Sequence, residues 1–287
     1  MTLREHRIDV DGLPTRYLLA AGEDGGPPLI LLHGVGDNAL DWRWVMPALA
    51  RSRRVYAPDL PGAGGSVEPQ DADSSPGFFE RFVAAFLDAQ RIERAAAVVG
   101  NSLGGLVGLR LALSEPGRVA ALGLVAAGGL GRRVSPALRS LSLPGYGRLA
   151  TAWGKTRPGA AQRALGRAGL VFASPRRAPR EWLKEQYRLA RVPGFLQAQL
   201  ATVRAQVGIR GQREVLVERL PGLRVPALVV WGTRDRVLPA SQARGAAARL
   251  RGGRLELLPD CGHLPQVEQP ERFASALDRF LRTSEQA

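Results

Sequence analysis

Cysteine is almost absent from this chain of 287 residues: Cys261 stands alone, so no intrachain disulfide can form and nothing points to an oxidising compartment. Lysine is nearly missing as well, because Lys155 and Lys184 are the only two among 40 basic residues. The formal charge of +14 is therefore an arginine charge. It runs from Arg4 to Arg282 with only short clusters such as Arg132-Arg133 and Arg176-Arg177, whereas nucleic-acid binders concentrate charge on one face or arm. A solvated basic surface is expected, with no nucleic-acid partner. No apolar run is long enough to cross a bilayer, and residues 1–26 lack the apolar core of a signal peptide, so a cytoplasmic protein is expected. A hydrophobic share of 45% sets the chain apart from disordered sequences, and its length supports one large core that needs no metal or disulfide.

What the chain does have is alternation. Apolar runs of β type at residues 29–32, 54–57, 95–99 and 119–125 are separated by helical stretches at 42–50, 77–90 and 103–114. Residues 7–20 alternate around Asp11-Gly12 and read as a hairpin at a sheet edge. This is the pattern of an α/β fold, a mostly parallel central sheet with helices on both faces. The alternation stops over residues 131–217, an arginine-rich, helix-like stretch broken by Pro144, Pro158, Pro175, Pro179 and Pro193, which predicts an inserted helical lid. It resumes with strands at 227–231 and 254–258 and helices at 241–250 and 271–281. These are too few strands for a second core. Residues 1–130 and 218–287 are therefore expected to form one core domain, with the insertion above the carboxyl ends of its strands.

The sharpest motif is Gly100-Asn101-Ser102-Leu103-Gly104-Gly105, which follows Val98-Val99 and runs at once into an apolar helix. A Gly-x-Ser-x-Gly between strand and helix is a nucleophile elbow, in which small residues two before and two after the serine keep the two elements from colliding. The start of the helix aims free amides and a positive dipole end at the same point. A serine needs a base, and the chain offers His6, His33 and His263. His6 lies in a polar segment, and His33, in His33-Gly34-Val35-Gly36, is expected to shape a loop. His263 follows the strand at 254–258 and the loop Pro259-Asp260-Cys261-Gly262, so it stands at a strand's carboxyl end, where catalytic groups of open α/β sheets gather. Cys261 beside it is read as a packing residue. Asp235 follows the strand at 227–231 and is the carboxylate expected to fix the tautomer of the histidine, whereas Asp59, in the turn Asp59-Leu60-Pro61-Gly62, is expected to be structural. The amides of Val35 and Leu103 are the expected oxyanion donors. No Lys-Ser/Thr pair accompanies the glycines near His33, which argues against a phosphate loop.

With the order Ser102, Asp235, His263, the sequence resembles the α/β-hydrolase superfamily over residues 8–280, with the insertion weakly matched. Gly100-Asn101-Ser102-Leu103-Gly104-Gly105, Gly128-Gly129-Leu130-Gly131 and Cys261-Gly262-His263 resemble the meta-cleavage-product hydrolases, which cleave carbon–carbon bonds in vinylogous diketones. Those enzymes typically carry a tryptophan after the histidine and a lid arginine on the substrate. Here Leu264 follows His263, and Trp182-Leu183-Lys184-Glu185-Gln186-Tyr187-Arg188 offers no arginine at the expected point. The resemblance thus implies a carboxylesterase first, working through an acyl-enzyme on Ser102, and a carbon–carbon bond hydrolase of dienone acids second. Epoxide hydrolases and haloalkane dehalogenases need an aspartate where this chain has Ser102. A small ester or acyl substrate is implied, with no metal or organic cofactor, and a homodimer is left open. The insertion, with Leu141, Leu143, Trp153, Leu165, Phe172, Trp182 and Phe195 among its apolar residues, is expected to wall an acyl or aryl pocket, while most of these side chains are expected simply to pack the lid itself. A binding protein on a hydrolase scaffold is the reading from another class, since fold alone does not fix function.

Overall fold

The computed structural model describes residues 3–22, 26–66, 73–95, 97–143 and 145–285. The chain begins with an antiparallel hairpin of β1 (Leu3–Val10) and β2 (Leu13–Ala20). Asp11 and Gly12 both adopt positive φ, 49° and 80°, as a tight two-residue hairpin turn demands. β3 (Gly26–Leu32), β4 (Arg53–Pro58), β5 (Ala97–Asn101) and β6 (Leu122–Val125) follow. A short hairpin of β7 (Val207–Gly208) and β8 (Gly211–Gln212) then precedes β9 (Ala227–Gly232) and β10 (Arg254–Leu258). One sheet holds eight strands in the order β1-β2-β4-β3-β5-β6-β9-β10. Only the β1–β2 and β2–β4 pairs are antiparallel. β6 lies parallel to β9, with Leu122 opposite Ala227, so strands from both sides of the long helical stretch join one sheet.

Both faces of that sheet are covered, and the alternation of side chains shows it. Ile30 and Leu32 of β3 belong to one core cluster, with Phe79, Phe82 and Phe86 of α2 (Pro76–Ala89) and Leu106 of α3 (Leu103–Ser114). Leu29 and Leu31 belong to the opposite cluster, with Met46 and Leu49 of α1 (Met46–Leu49). Burial on both sides is why these strands read as continuous apolar runs. The helix expected over 42–50 is instead a 3₁₀ turn at Ala39–Trp42 and a separate α1. Pro47 has no amide to donate and its ring clashes with a carbonyl four residues back, so it sits only in the first turn of a new helix.

Between β6 and β9 the chain forms α4 (Pro136–Leu141), α5 (Tyr146–Gly154), α6 (Arg157–Val171), α7 (Arg180–Ala190) and α8 (Phe195–Gln206). The remaining helices are α9 (Ser241–Ala247), α10 (Pro265–Glu268) and α11 (Pro270–Glu285), the last packing Phe273, Leu277 and Phe280 into the second cluster. The insertion carries a small core of its own, with Ala160, Leu189 and Phe195. A polar seam fastens it to the sheet. Arg167 Nη2 and Gln186 Nε2 both donate to Asp37 Oδ1, at 2.6 and 3.0 Å, and Asn38 Nδ2 donates to Glu185 Oε1 at 2.5 Å. Among the described residues no helix is long and apolar enough to cross a membrane.

Candidate active site

Ser102 ends the run of β5 and takes φ 53°, ψ −112°, a strained conformation for a residue with a Cβ. Its amide donates to Val125 O at 3.0 Å, and its carbonyl accepts from Gly128 N at 2.9 Å, so β6 and the loop after it hold the turn from the side. The glycines are forced by space. A Cβ on Gly100 would drive into the backbone of Gly104, and one on Gly104 into the backbone of Leu32. The amide of Leu103, the first residue of α3, has no carbonyl available to it within the helix.

His263 is placed by the loop after β10, where Asp260 takes φ 52° and a Cβ on Gly262 would meet the Val171 carbonyl. Its main chain is fixed twice: the amide donates to Val171 O at 2.6 Å, and the carbonyl accepts from Asn101 Nδ2 at 2.9 Å. The imidazole Nδ1 lies 2.8 Å from Asp235 Oδ2. The other oxygen of Asp235 accepts from the amides of Val237 and Leu238 at 2.7 and 3.0 Å. Those two amides leave Oδ2 free to hold the imidazole with its proton on Nδ1 and its Nε2 lone pair facing outward. Ser102, His263, Val35 and Leu103 wall one small cavity of about 70 Å³. The structure thus gathers all five residues that the sequence singled out, four on the cavity and Asp235 behind the imidazole.

The other candidates lie elsewhere. His6 stacks on Tyr17 at the sheet edge, with ring centroids 5.3 Å apart. His33 is buried, its Nε2 accepting from Leu60 N at 2.9 Å and its Nδ1 lying 2.8 Å from Gly34 O. That pattern is satisfied by the neutral ring, and burial pushes its pKa below the ordinary value. Asp59 pairs with Arg16 Nε at 2.6 Å and accepts from the amides of Ala39 and Gly65, both at 2.8 Å, a structural knot. Burial raises the pKa of the Cys261 thiol, which opposes thiolate chemistry.

Residues 29–276 match the model of the alpha/beta hydrolase family. The chain belongs to that family. The 2-hydroxymuconate semialdehyde hydrolase of Pseudomonas sp. strain CF600 is 33% identical over 95% of this chain and 95% of its own. The pimeloyl-acyl-carrier-protein methyl ester esterase of Aeromonas hydrophila subsp. hydrophila is 30% identical over 89% of this chain and 96% of its own. The crystal structure of a bacterial membrane phospholipase A superposes with a TM-score of 0.83 at 29% identity, covering 99% of this chain and 87% of that one.

In this α/β-hydrolase the cavity at Ser102 meets a larger chamber of about 670 Å³ inside the insertion, and Val35, Leu138, Arg167, Leu170 and Val203 line both. Of the seven apolar residues named from the insertion's sequence, Leu141 and Trp153 line the chamber. Phe172 and Trp182 are instead fully buried against each other, ring centroids 5.0 Å apart, and Phe195 packs in the insertion's own core. Leu143 and Leu165 face solvent. Helix phase decides this: Leu165 and Leu170 share α6, but they do not share a face.

Two contributors carried no mark in the motifs. Glu268, its side chain fully buried, accepts from Gly262 N at 2.8 Å and Ala173 N at 3.0 Å, and so ties the loop of His263 to the insertion. Nothing in the sequence marked it, because the burial of its neighbours Pro265, Gln266 and Val267 belongs to the folded chain. Arg167 is the second, a cation from α6 on the cavity wall. Arg188, by contrast, pairs with Glu185 on its own helix at 2.7 Å.

Proposed function

We propose that this chain is a serine hydrolase that cleaves carboxylic esters through an acyl-enzyme on Ser102, with His263 as base and Asp235 as its orienting carboxylate. The observation that carries the reading is the imidazole locked to Asp235 at 2.8 Å on a cavity it shares with Ser102. His263 Nε2 takes the hydroxyl proton as Ser102 Oγ bonds to the ester carbonyl carbon, and the amides of Val35 and Leu103 hold the resulting oxyanion. The carbon–oxygen bond to the alcohol then breaks, and the alcohol leaves with the proton from His263. Water gives a proton to His263 and attacks the acyl-enzyme, which releases the carboxylic acid and restores the serine. The insertion, residues 131–217, acts as the lid, and its apolar chamber receives the acyl chain.

One observation favours a second reading, carbon–carbon cleavage of a dienone acid: Arg167 brings a cation to the cavity wall, where a substrate carboxylate would meet it. That guanidinium is already committed to Asp37, and Leu264 is buried in the core, so no aromatic side chain follows His263 toward substrate. Ester cleavage therefore ranks first. Short-chain p-nitrophenyl esters should be turned over by the wild-type protein and, in Ser102→Ala, at a kcat lower by at least about 10⁴-fold. Equal turnover by the variant removes the nucleophile from the mechanism, and a ring-fission dienone cleaved faster than every ester in a graded panel would reverse the ranking.

A further inference from the structure

Beside the reaction cavity lies a second cleft of about 460 Å³, whose wall carries Arg132, Arg133, Arg139, Arg210 and Arg236. Asp235 is the one carboxylate on that wall, and both its oxygens are already engaged by His263 and by the amides of Val237 and Leu238. Among the described residues, the side chains of Arg132, Arg133, Arg139 and Arg210 have no partner. Such a gathering of like charge is unfavourable by itself, and it produces a strongly positive local potential.

The segments that bear these arginines are cross-linked. Gln212 N donates to Arg132 O at 2.9 Å, Gln242 Nε2 to Arg133 O at 2.7 Å, and Ser135 N to Val237 O at 2.9 Å. The backbone under the cations is therefore preorganised, which lowers the ordering cost of binding. A single carboxylate would neutralise only one of five guanidinium groups. A phosphate ester brings more charge and three oxygens that suit the guanidinium fork.

The cleft's position assigns it to one side of the reaction. Val134 and Val237 line both the cleft and the cavity of Ser102. In ester cleavage His263 hands its proton to the departing oxygen, so the leaving group must depart on the side of His263 and Asp235. The apolar chamber opens elsewhere, past Leu138, Leu170 and Val203, which suits the acyl chain. We propose that the arginine cleft binds a phosphate group carried on the leaving group, so that the preferred substrates are acyl esters of phosphorylated alcohols or thiols. This deepens the acyl-enzyme reading and rests on it.

Calorimetric titration with inorganic pyrophosphate tests the cleft without any turnover. Wild type is expected to bind one equivalent, and Arg133→Gln/Arg210→Gln at least tenfold more weakly. Arg251→Gln/Arg254→Gln, which removes the same charge from an exposed turn and the start of β10, should match wild type. Equal weakening in both double variants, or no saturable binding, overturns the cleft. Kinetics with two esters of one acyl group, the alcohol phosphorylated in one and bare in the other, then separate a substrate's phosphate from a free one. A lower KM for the phosphorylated ester, lost in Arg133→Gln/Arg210→Gln at unchanged kcat for the bare ester, supports the proposal. Pyrophosphate binding with no such preference overturns the assignment to the leaving group. Labelling of Ser102 by a fluorophosphonate reports on the hydrolase reading separately, since pyrophosphate binding does not require that hydroxyl.

Discussion

Around Ser102 the chain is held by backbone against backbone, whereas the helical insertion is held to the sheet by side-chain bonds added to backbone ties such as that from His263 N to Val171 O. The elbow has its amide on Val125 O, its carbonyl on Gly128 N, and glycines at 100 and 104 that leave no room for a methyl group. The insertion rests on Arg167 and Gln186 at Asp37, on Glu185 at Asn38, and on Glu268 reaching Ala173 N. Backbone contacts of the first kind tolerate no substitution of the small residue, while side-chain pairs of the second kind can be exchanged for others. The proposed nucleophile thus sits on the part of the chain with the least steric freedom.

The largest expected effect lies on the rigid side. In Asp235→Asn the amide oxygen keeps the two bonds from Val237 and Leu238, but the amide nitrogen now donates to His263 Nδ1. The imidazole proton moves to Nε2, which can no longer accept from serine. Activity should fall by about 10⁴-fold while the thermal midpoint barely moves. A loss of less than tenfold would mean that Asp235 does not set the tautomer.

Next in size is a pair of glycines. Gly100→Ala forces a methyl group into the backbone of Gly104 and Gly105 and should cost about 3 kcal/mol. Gly169→Ala, in α6 with open space around its Cα, should instead stabilise the fold by about 0.5 kcal/mol, because alanine surrenders less entropy in a helix. Chemical denaturation of both variants reads the difference directly. Similar costs at the two positions would erase the distinction between the regions.

The same distinction explains what the sequence made legible. Ser102, Asp235 and His263 stood out because each closely follows the carboxyl end of a strand, and the turn after that strand must contain glycine or a tight loop. The hairpin at Asp11-Gly12 was readable for the same reason. Which of the insertion's aromatics pack it and which face the chamber could not be read, because an aromatic on an insertion helix serves core, as Phe172 and Trp182 do, or chamber, according to a rotation of the helix that composition does not reveal. Pro47 could have been read as a helix start, since its ring excludes a helix that began at Trp42. Asp37 and Arg167 are 130 residues apart and share no motif, so only the folded chain joins them.

The smallest expected effect tests that seam. Asp37→Asn keeps an oxygen that accepts from Gln186 and Arg167 but removes the charge that faces the guanidinium, which should cost about 1 kcal/mol. The loss falls on the seam alone, because the bond from Asn38 to Glu185 and the bond from Ala173 to Glu268 are untouched. Amide exchange in α6 and α7 should therefore quicken while that of β5 and α3 stays at the wild-type rate, and kcat on a short ester should change by less than about threefold. If exchange quickens equally in β5 and α6, the insertion and the sheet open as one cooperative unit. In that case the insertion has no freedom separate from the elbow, and access to the chamber must be set by side-chain movements at its wall, at Leu138, Leu170 and Val203, rather than by displacement of whole helices.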